Sequence, residues 1–474
     1  MNLPDQALRF ASRPGHLGPR GMATVAVALL VLPVAFIAAA TPARYSLALV
    51  AIAAVPVAGV IAMRSSMGVL LTFAFVAPPL VQFLVKGSPD GIPVAAVLPI
   101  VGVELVLLLR GLSSLRDARP LGPVEAIFVG AMLYAAAIGL AGVGDRRVWL
   151  GEFIETTNLV VMLWLLRLNR VRFTDLRSFV LAGHIMAAPF FVWYVMTRFG
   201  QYRLDFFFGL TTTLVPITVA MLVHTRVSLA LRAALLLSCF VMLVATAAAG
   251  IRGTTMIAVL GTGLVVFFSL RRFSGLTLTV SASAVFVLLL LQPVFMRVAS
   301  QAAPEAVERF QSVSDSPTLS VRLLEAQDAF TAFRSRPMGH GLGAILVTRH
   351  EIVWGATGVT VEYGPTTFVH NSYAWYLAKT GVVGFAALML IMATAVIEAI
   401  RRLPTTRGSA GLALALLLAF LAGAWGGPAL HNVFYTPILA FAIHLARQRD
   451  AATPDEDVAA PLPDRTHALH GAAR

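Results

Sequence analysis

Apolar runs of about 17 to 22 residues, the length that crosses roughly 30 Å of hydrocarbon as a helix, recur along almost the whole chain. They cover residues 22–40, 45–63, 67–85, 91–109, 123–143, 148–166, 178–196, 206–223, 228–249, 253–270 and 276–294. A long polar interval follows, and then runs at 372–397, 411–424 and 429–446. The pattern predicts an all-α integral membrane protein of about 13 or 14 transmembrane helices, with one large extracytoplasmic loop before the last spans. It divides the chain into an N-terminal segment 1–21, a membrane domain 22–296, a loop 297–370 with amphipathic helices, C-terminal membrane helices 371–447 and a tail 448–474. The two ends lack periodic apolar positions and read as disordered. The first run follows Arg9, Arg13 and Arg20 as a signal peptide would, but a second run begins within a few residues, which favours a retained span.

The loop has a pattern of its own. Ser316-Pro317 is an N-cap followed by proline at the first helical position. Leu319, Leu323, Ala326, Phe330 and Phe333 then recur at helical spacing, with Arg322 flanking the apolar stripe. Pro337, Gly339, Gly341 and Gly343 end that helix. The glycines are not a dinucleotide loop, because no strand precedes them. The loop closes on Phe368-Val369-His370-Asn371-Ser372-Tyr373, a polar His-Asn pair set between charged loop and membrane span, and runs on through Gly381 and Gly384.

Composition confirms the class. Of 474 residues, 58% are hydrophobic and 12% charged, and the mean hydropathy is +0.82, far from the balance of a soluble domain. A formal net charge of +13 would point to nucleic acid in a soluble chain. Here the Arg residues form short clusters between apolar runs and act as topology signals, with no nucleic-acid partner implied. With the N-terminus in the cytoplasm, about 20 basic residues fall on the inner face and about 7 on the outer, which places 297–370 outside. The expected location is therefore the cytoplasmic (inner) membrane, multi-pass, with the site on the extracytoplasmic face. The single cysteine, Cys239, excludes an intramolecular disulfide.

The order Arg322, helix, Pro337 with Gly339, Gly341 and Gly343, then His370-Asn371-Ser372-Tyr373 with Gly381 and Gly384, resembles the O-antigen ligase and polysaccharide polymerase superfamily. Gly250-Ile251-Arg252-Gly253, and Arg203 followed by Asp205 and Gly209, are similar to its short arginine motifs at the outer ends of spans. Two departures stand out: Ala326 occupies the place of a frequent tryptophan, and the Pro337 to Gly339 spacing is one residue short. The resemblance implies transfer of a glycan from an undecaprenyl-diphosphate-linked donor to a hydroxyl on a glycan, lipid or protein acceptor, at the lipid bilayer and with inversion at the anomeric carbon.

That reaction can be matched to residues. A diphosphate leaving group gains charge as the anomeric C–O bond breaks, so Arg203, Arg252 and Arg322 are candidate diphosphate-binding residues. The acceptor hydroxyl must lose a proton, and His370 is the candidate catalytic base. Asn371 and Tyr373 are candidates for orienting substrate. The bland alternatives are headgroup anchoring for Arg203 and Arg252, a local pair with Glu325 or Asp328 for Arg322, and helix capping for His370. Glu152 and Glu155 are either functional carboxylates or partners of Arg146 or Arg147. His340 and His350 read as loop residues, His184 as buried and satisfied, and His431-Asn432 as a second His-Asn pair without the surrounding motif.

No metal site is expected: Asp455-Glu456-Asp457 lies in the cytoplasmic tail and no His/Cys cluster has ligand spacing. No cofactor is expected either, so the implied enzyme is a metal-independent, inverting glycosyltransferase. Ligase and polymerase are not distinguished. A multi-span lipid or solute transporter with an outer gating loop is the competing class, weakened by the lack of internal repeats.

Overall fold

The computed structural model of the protein describes residues 66–79, 94–112, 121–142, 145–197, 207–225, 227–248, 252–269, 317–354 and 358–448. The described helices are α1 (Met67–Phe75), α2 (Val94–Gly111), α3 (Pro123–Ala141), α4 (Arg146–Leu168), α5 (Leu176–Thr197), α6 (Phe207–His224), α7 (Leu229–Ala248) and α8 (Arg252–Ser269). After these come α9 (Pro317–Ser335), an antiparallel hairpin of β1 (Leu346–Trp354) and β2 (Gly358–Thr366), α10 (Ser372–Arg402), α11 (Arg407–Gly423) and α12 (Thr436–Arg447). Among the described residues, four helices are long and apolar enough to cross a membrane: α3, α4, α7 and α10. The runs at 22–40, 45–63 and 276–294 lie outside the described residues.

Helix boundaries follow the apolar runs closely, and the described residues are mostly helical as expected. Two regions differ. The 429–446 run is helical only from Thr436, and residues 424–435 are mainly turns. At 1.5 Å per residue the 12-residue α12 is about 18 Å long, too short to span alone. In the loop, the expected helix 317–335 is joined by a hairpin, with Leu346 opposite Thr366 and Trp354 opposite Gly358. Its strands carry Val347, Thr348, Ile352, Val353, Val359, Thr360 and Val361, the β-branched content that favours a strand.

The long helix α10 is the hub, packed against α3, α9, α11 and α12. At the far end of the bundle from His370, Glu125 of α3 accepts from Arg167 of α4 at 2.5 Å and from Arg447 of α12. His444 donates to the Val171 carbonyl at 2.9 Å. These bonds add to the apolar burial of α12, whose Ile438, Leu439, Phe441 and Ile443 belong to the core. Midway along the bundle, His184 bridges Ser238 at 2.7 Å and Thr218 at 2.8 Å, so both ring nitrogens are matched as the sequence suggested.

Candidate active site

Helix α9 brings three charged groups to one side by i, i+3, i+6 spacing: Arg322, Glu325 and Asp328. Each leaves the helix for a partner elsewhere. Asp328 takes a two-pronged bond from Arg349 of β1, Nε to Oδ2 at 2.8 Å and Nη2 to Oδ1 at 2.7 Å, and also the Arg349 main-chain N–H. The guanidinium bonds hold the Asp328 carboxyl below the usual carboxylate range. Arg322 donates to the Gly426 carbonyl at 2.7 Å. The local pair that the sequence allowed between Arg322 and Glu325 or Asp328 gives way to these longer-range contacts.

Glu325 is buried and meets His370. Its Oε2 accepts the His370 main-chain N–H at 3.1 Å and Nδ1–H at 2.9 Å. A carboxylate only accepts, so the proton of the neutral ring belongs on Nδ1 and the lone pair on Nε2. No described residue hydrogen-bonds Nε2, and the His370 side chain is 27% exposed. The ring also packs edge-on against Phe368, with centroids 4.9 Å apart. An oriented imidazole with one open nitrogen is what proton abstraction requires.

The residues after His370 turn inward. Asn371 caps α10, its Oδ1 accepting from the Ala374 N–H at 3.0 Å, while Nδ2 donates to the Trp425 carbonyl at 3.1 Å. Ser372 Oγ donates to the Gly427 carbonyl at 2.9 Å and accepts from the Leu430 N–H at 3.2 Å. Tyr373 donates to the Leu421 carbonyl at 2.6 Å, and Tyr376 to the Leu430 carbonyl at 3.3 Å. Non-helical backbone at membrane depth survives only when protein groups satisfy it. Asn371, Ser372 and Tyr376 supply those groups for the turn 424–435. Of the two residues expected to orient substrate, Asn371 thus spends its Nδ2 on this turn and Tyr373 its hydroxyl on the last turn of α11.

A second joint lies nearly three turns further along α10, ten residues past the Asn371 cap. Gly381 has φ 69° and ψ −171°, which breaks the helical ladder. The orphaned Ala378 and Lys379 carbonyls accept from the His340 N–H at 2.9 Å and the Gly341 N–H at 2.8 Å, and the Val382 N–H donates to the Pro337 carbonyl at 3.0 Å. Gly339, at φ 90°, lies so close to Gly381 that a Cβ would stand 2.6 Å from its nitrogen. The Pro-Gly segment is therefore a plug for the broken helix: Gly339 packs on Gly381, Gly341 on Gly139 of α3 and Gly343 on Trp149 of α4. His340 itself ties back to the Ala332 carbonyl at 2.9 Å, and His350 lies in β1.

Beneath the plug sits a fully buried ion pair. Lys379 donates to Glu152 Oε1 at 2.7 Å and to the Ala344 carbonyl, while Gly343 N–H donates to Glu152 Oε2 at 2.6 Å. The partner of Glu152 is thus Lys379 of α10, in place of the Arg146 or Arg147 considered from sequence. Sequence reading passed over Lys379, though a lone cation in an apolar span is a signal in itself. It considered Glu325 only as one alternative local partner for Arg322, whereas its partner is His370, 45 residues away.

The structure brings Arg322 and His370 to one end of α10, linked through Glu325 and the 424–435 turn. Arg252 opens α8, where its backbone alone is described, and Arg203 lies outside the described residues.

Residues 233–389 match the family model described as O-antigen ligase. The matched stretch is a third of the chain and runs from α7 to the middle of α10, taking in Arg322, Glu325, His370 and Lys379. It supports the O-antigen ligase superfamily, as the order of motifs indicated, and with the apolar helices a multi-pass membrane enzyme of glycosyltransferase type. It lends nothing to the transporter reading. No curated protein matches the chain.

Proposed function

We propose that this protein transfers a glycan from an undecaprenyl-diphosphate carrier to an acceptor hydroxyl at the extracytoplasmic face of the cytoplasmic membrane. The observation that carries the reading is His370, held through Nδ1 by the buried Glu325 at 2.9 Å with Nε2 open. As the acceptor oxygen attacks the anomeric carbon, Nε2 takes its proton. The C–O bond to the carrier breaks with both electrons passing to the diphosphate, and the anomeric centre inverts. Arg322, with Arg203 and Arg252 in the same proposed role, offsets the charge that grows on the leaving group. Glu325 stabilises the imidazolium until its proton passes to water at the exposed ring edge. Asn371 acts through the turn it holds, and Tyr373 through the end of α11 that leads into it. No step in this scheme requires a metal.

Purified protein in liposomes, given an undecaprenyl-diphosphate glycan and an acceptor, tests the proposal. Transfer is expected, and His370→Ala should slow it by about 10²- to 10⁴-fold while the protein still inserts and elutes as wild type. Full transfer by that variant refutes the role of His370. A ladder of products indicates a polymerase, and a single conjugate a ligase.

A further inference from the structure

His431 belongs to the turn that the first turn of α10 holds. Its ring stacks on Trp375 at 4.4 Å and 1°, stands edge-on to Tyr376 at 6.3 Å, and meets Phe368 at 6.0 Å. Phe368 is the same ring that touches His370 at 4.9 Å. His431 is 2% exposed, yet neither Nδ1 nor Nε2 has a hydrogen-bond partner among the described residues. Other buried histidines are treated differently: His184 has both nitrogens matched, and His444 reaches the Val171 carbonyl.

An unmatched buried imidazole loses its hydration and receives nothing in return. A phenylalanine in the same slot would keep the stack on Trp375 without that loss. Orphaned polar groups are rare in folded proteins and concentrate where function needs them. This one stands a single aromatic side chain away from the open His370. Phe368, 40% exposed, is the ring shared by the two imidazoles.

We propose that His431 is a glycan-contacting residue of the transfer site, its ring nitrogens hydrogen-bonding sugar hydroxyls once Phe368 turns aside. Phe368, Trp375 and Tyr376 line the position, an aromatic setting that suits the C–H faces and hydroxyls of a pyranose better than a diphosphate. The assignment rests on the glycan-transfer reading and deepens it by naming where a sugar is held. Donor and acceptor glycans share this chemistry, and the kinetics tell them apart.

The test is His431→Phe in the full chain, reconstituted in liposomes, with initial rates measured while donor and acceptor concentrations are varied separately. The thermal midpoint is expected to stay or rise, because the ring stack is kept and an unmatched polar group is removed. For one of the two glycans, kcat/KM is expected to fall about tenfold, mostly through KM, as one or two hydrogen bonds are lost. The substrate whose KM moves is the one His431 holds. His431→Gln, which keeps a donor and an acceptor, should recover part of the loss, and it replaces the phenylalanine variant if that one does not fold. Wild-type kinetics toward both glycans overturn the proposal, as does a lowered midpoint with both KM values unchanged, which would mark a structural histidine. If His370→Ala transfers normally, the glycan-transfer reading itself fails. If His370→Ala is inactive while His431→Phe behaves as wild type, only the present assignment fails.

Discussion

Replacing Glu325 by glutamine or by alanine separates charge from orientation at His370. One oxygen, Oε2, accepts both the main-chain N–H at 3.1 Å and Nδ1–H at 2.9 Å. Both partners are donors, so in Glu325→Gln the amide oxygen takes that place and the tautomer with an open Nε2 survives. What is lost is the difference between a charged and a neutral hydrogen bond, about 1 to 1.5 kcal/mol, which is about tenfold in rate. Glu325→Ala loses the bond outright and leaves the His370 N–H unmatched, together about 3 to 4 kcal/mol and about 10²- to 10³-fold in rate. Adding Glu325→Ala to His370→Ala should cost almost nothing more, since the two residues act as a unit. Initial transfer rates in proteoliposomes at saturating donor measure all four variants. The reasoning fails if the alanine variant stays within about threefold of wild type, or if glutamine is worse than alanine.

Three further outcomes follow from the same geometry. Lys379→Met strands Glu152 in the interior and should lower stability by about 3 to 5 kcal/mol, whereas Lys379→Met with Glu152→Gln should recover much of it; thermal unfolding in detergent compares them. Gly381→Ala puts a Cβ 2.5 Å from the Met338 carbonyl oxygen at a φ of 69°, a loss on the order of 3 kcal/mol or more, while Gly151→Ala, with nothing within 4 Å, should be neutral in the same assay. The lowered Asp328 carboxyl means the hairpin is held to α9 fully above its unfolded value of about 3.9 and released as pH falls below it. Protease cleavage of the hairpin should therefore rise below about pH 4, and Asp328→Asn should make it high at every pH.

How legible all this was depended on the range of the physical signal. Apolar runs report a local requirement, the length of a span, and they placed α3, α4, α6, α7 and α10 within a few residues. The Ser-Pro cap and the stripe from Leu319 to Phe333 located α9 for the same reason. The turn 424–435 was only half visible: the gap at 425–428 between the last two runs, with Gly426-Gly427-Pro428, marks its first part, whereas 429–435 is apolar enough to read into the last span. The side chains of Asn371, Ser372 and Tyr376, some 50 residues away, and of Arg322 on α9 provide hydrogen bonds that let it leave the helix. The hairpin carried a local sign in its valines and threonines, but a loop with one clear helix drew attention away from it. His370 could be picked out by its motif, whereas Glu325 looked like a partner for its own helix neighbour, and no spacing rule links it to residue 370.

The first ten residues of α10 carry most of the site's positional information, and that concentration has a physical reason. A helix start offers free N–H groups and a helix break offers free carbonyls. This chain uses the start, capped by Asn371, to hold the 424–435 turn, and the break at Gly381 to hold the Pro-Gly plug. Lys379 then fastens the plug to α4 through Glu152. Loop, turn and the proposed base are fixed to one helix, so His370 faces Glu325 although the chain between them makes a 45-residue excursion. The proposed transfer from a lipid-borne donor needs its base at a set height against the membrane, and a spanning helix is the one element whose height the bilayer itself determines.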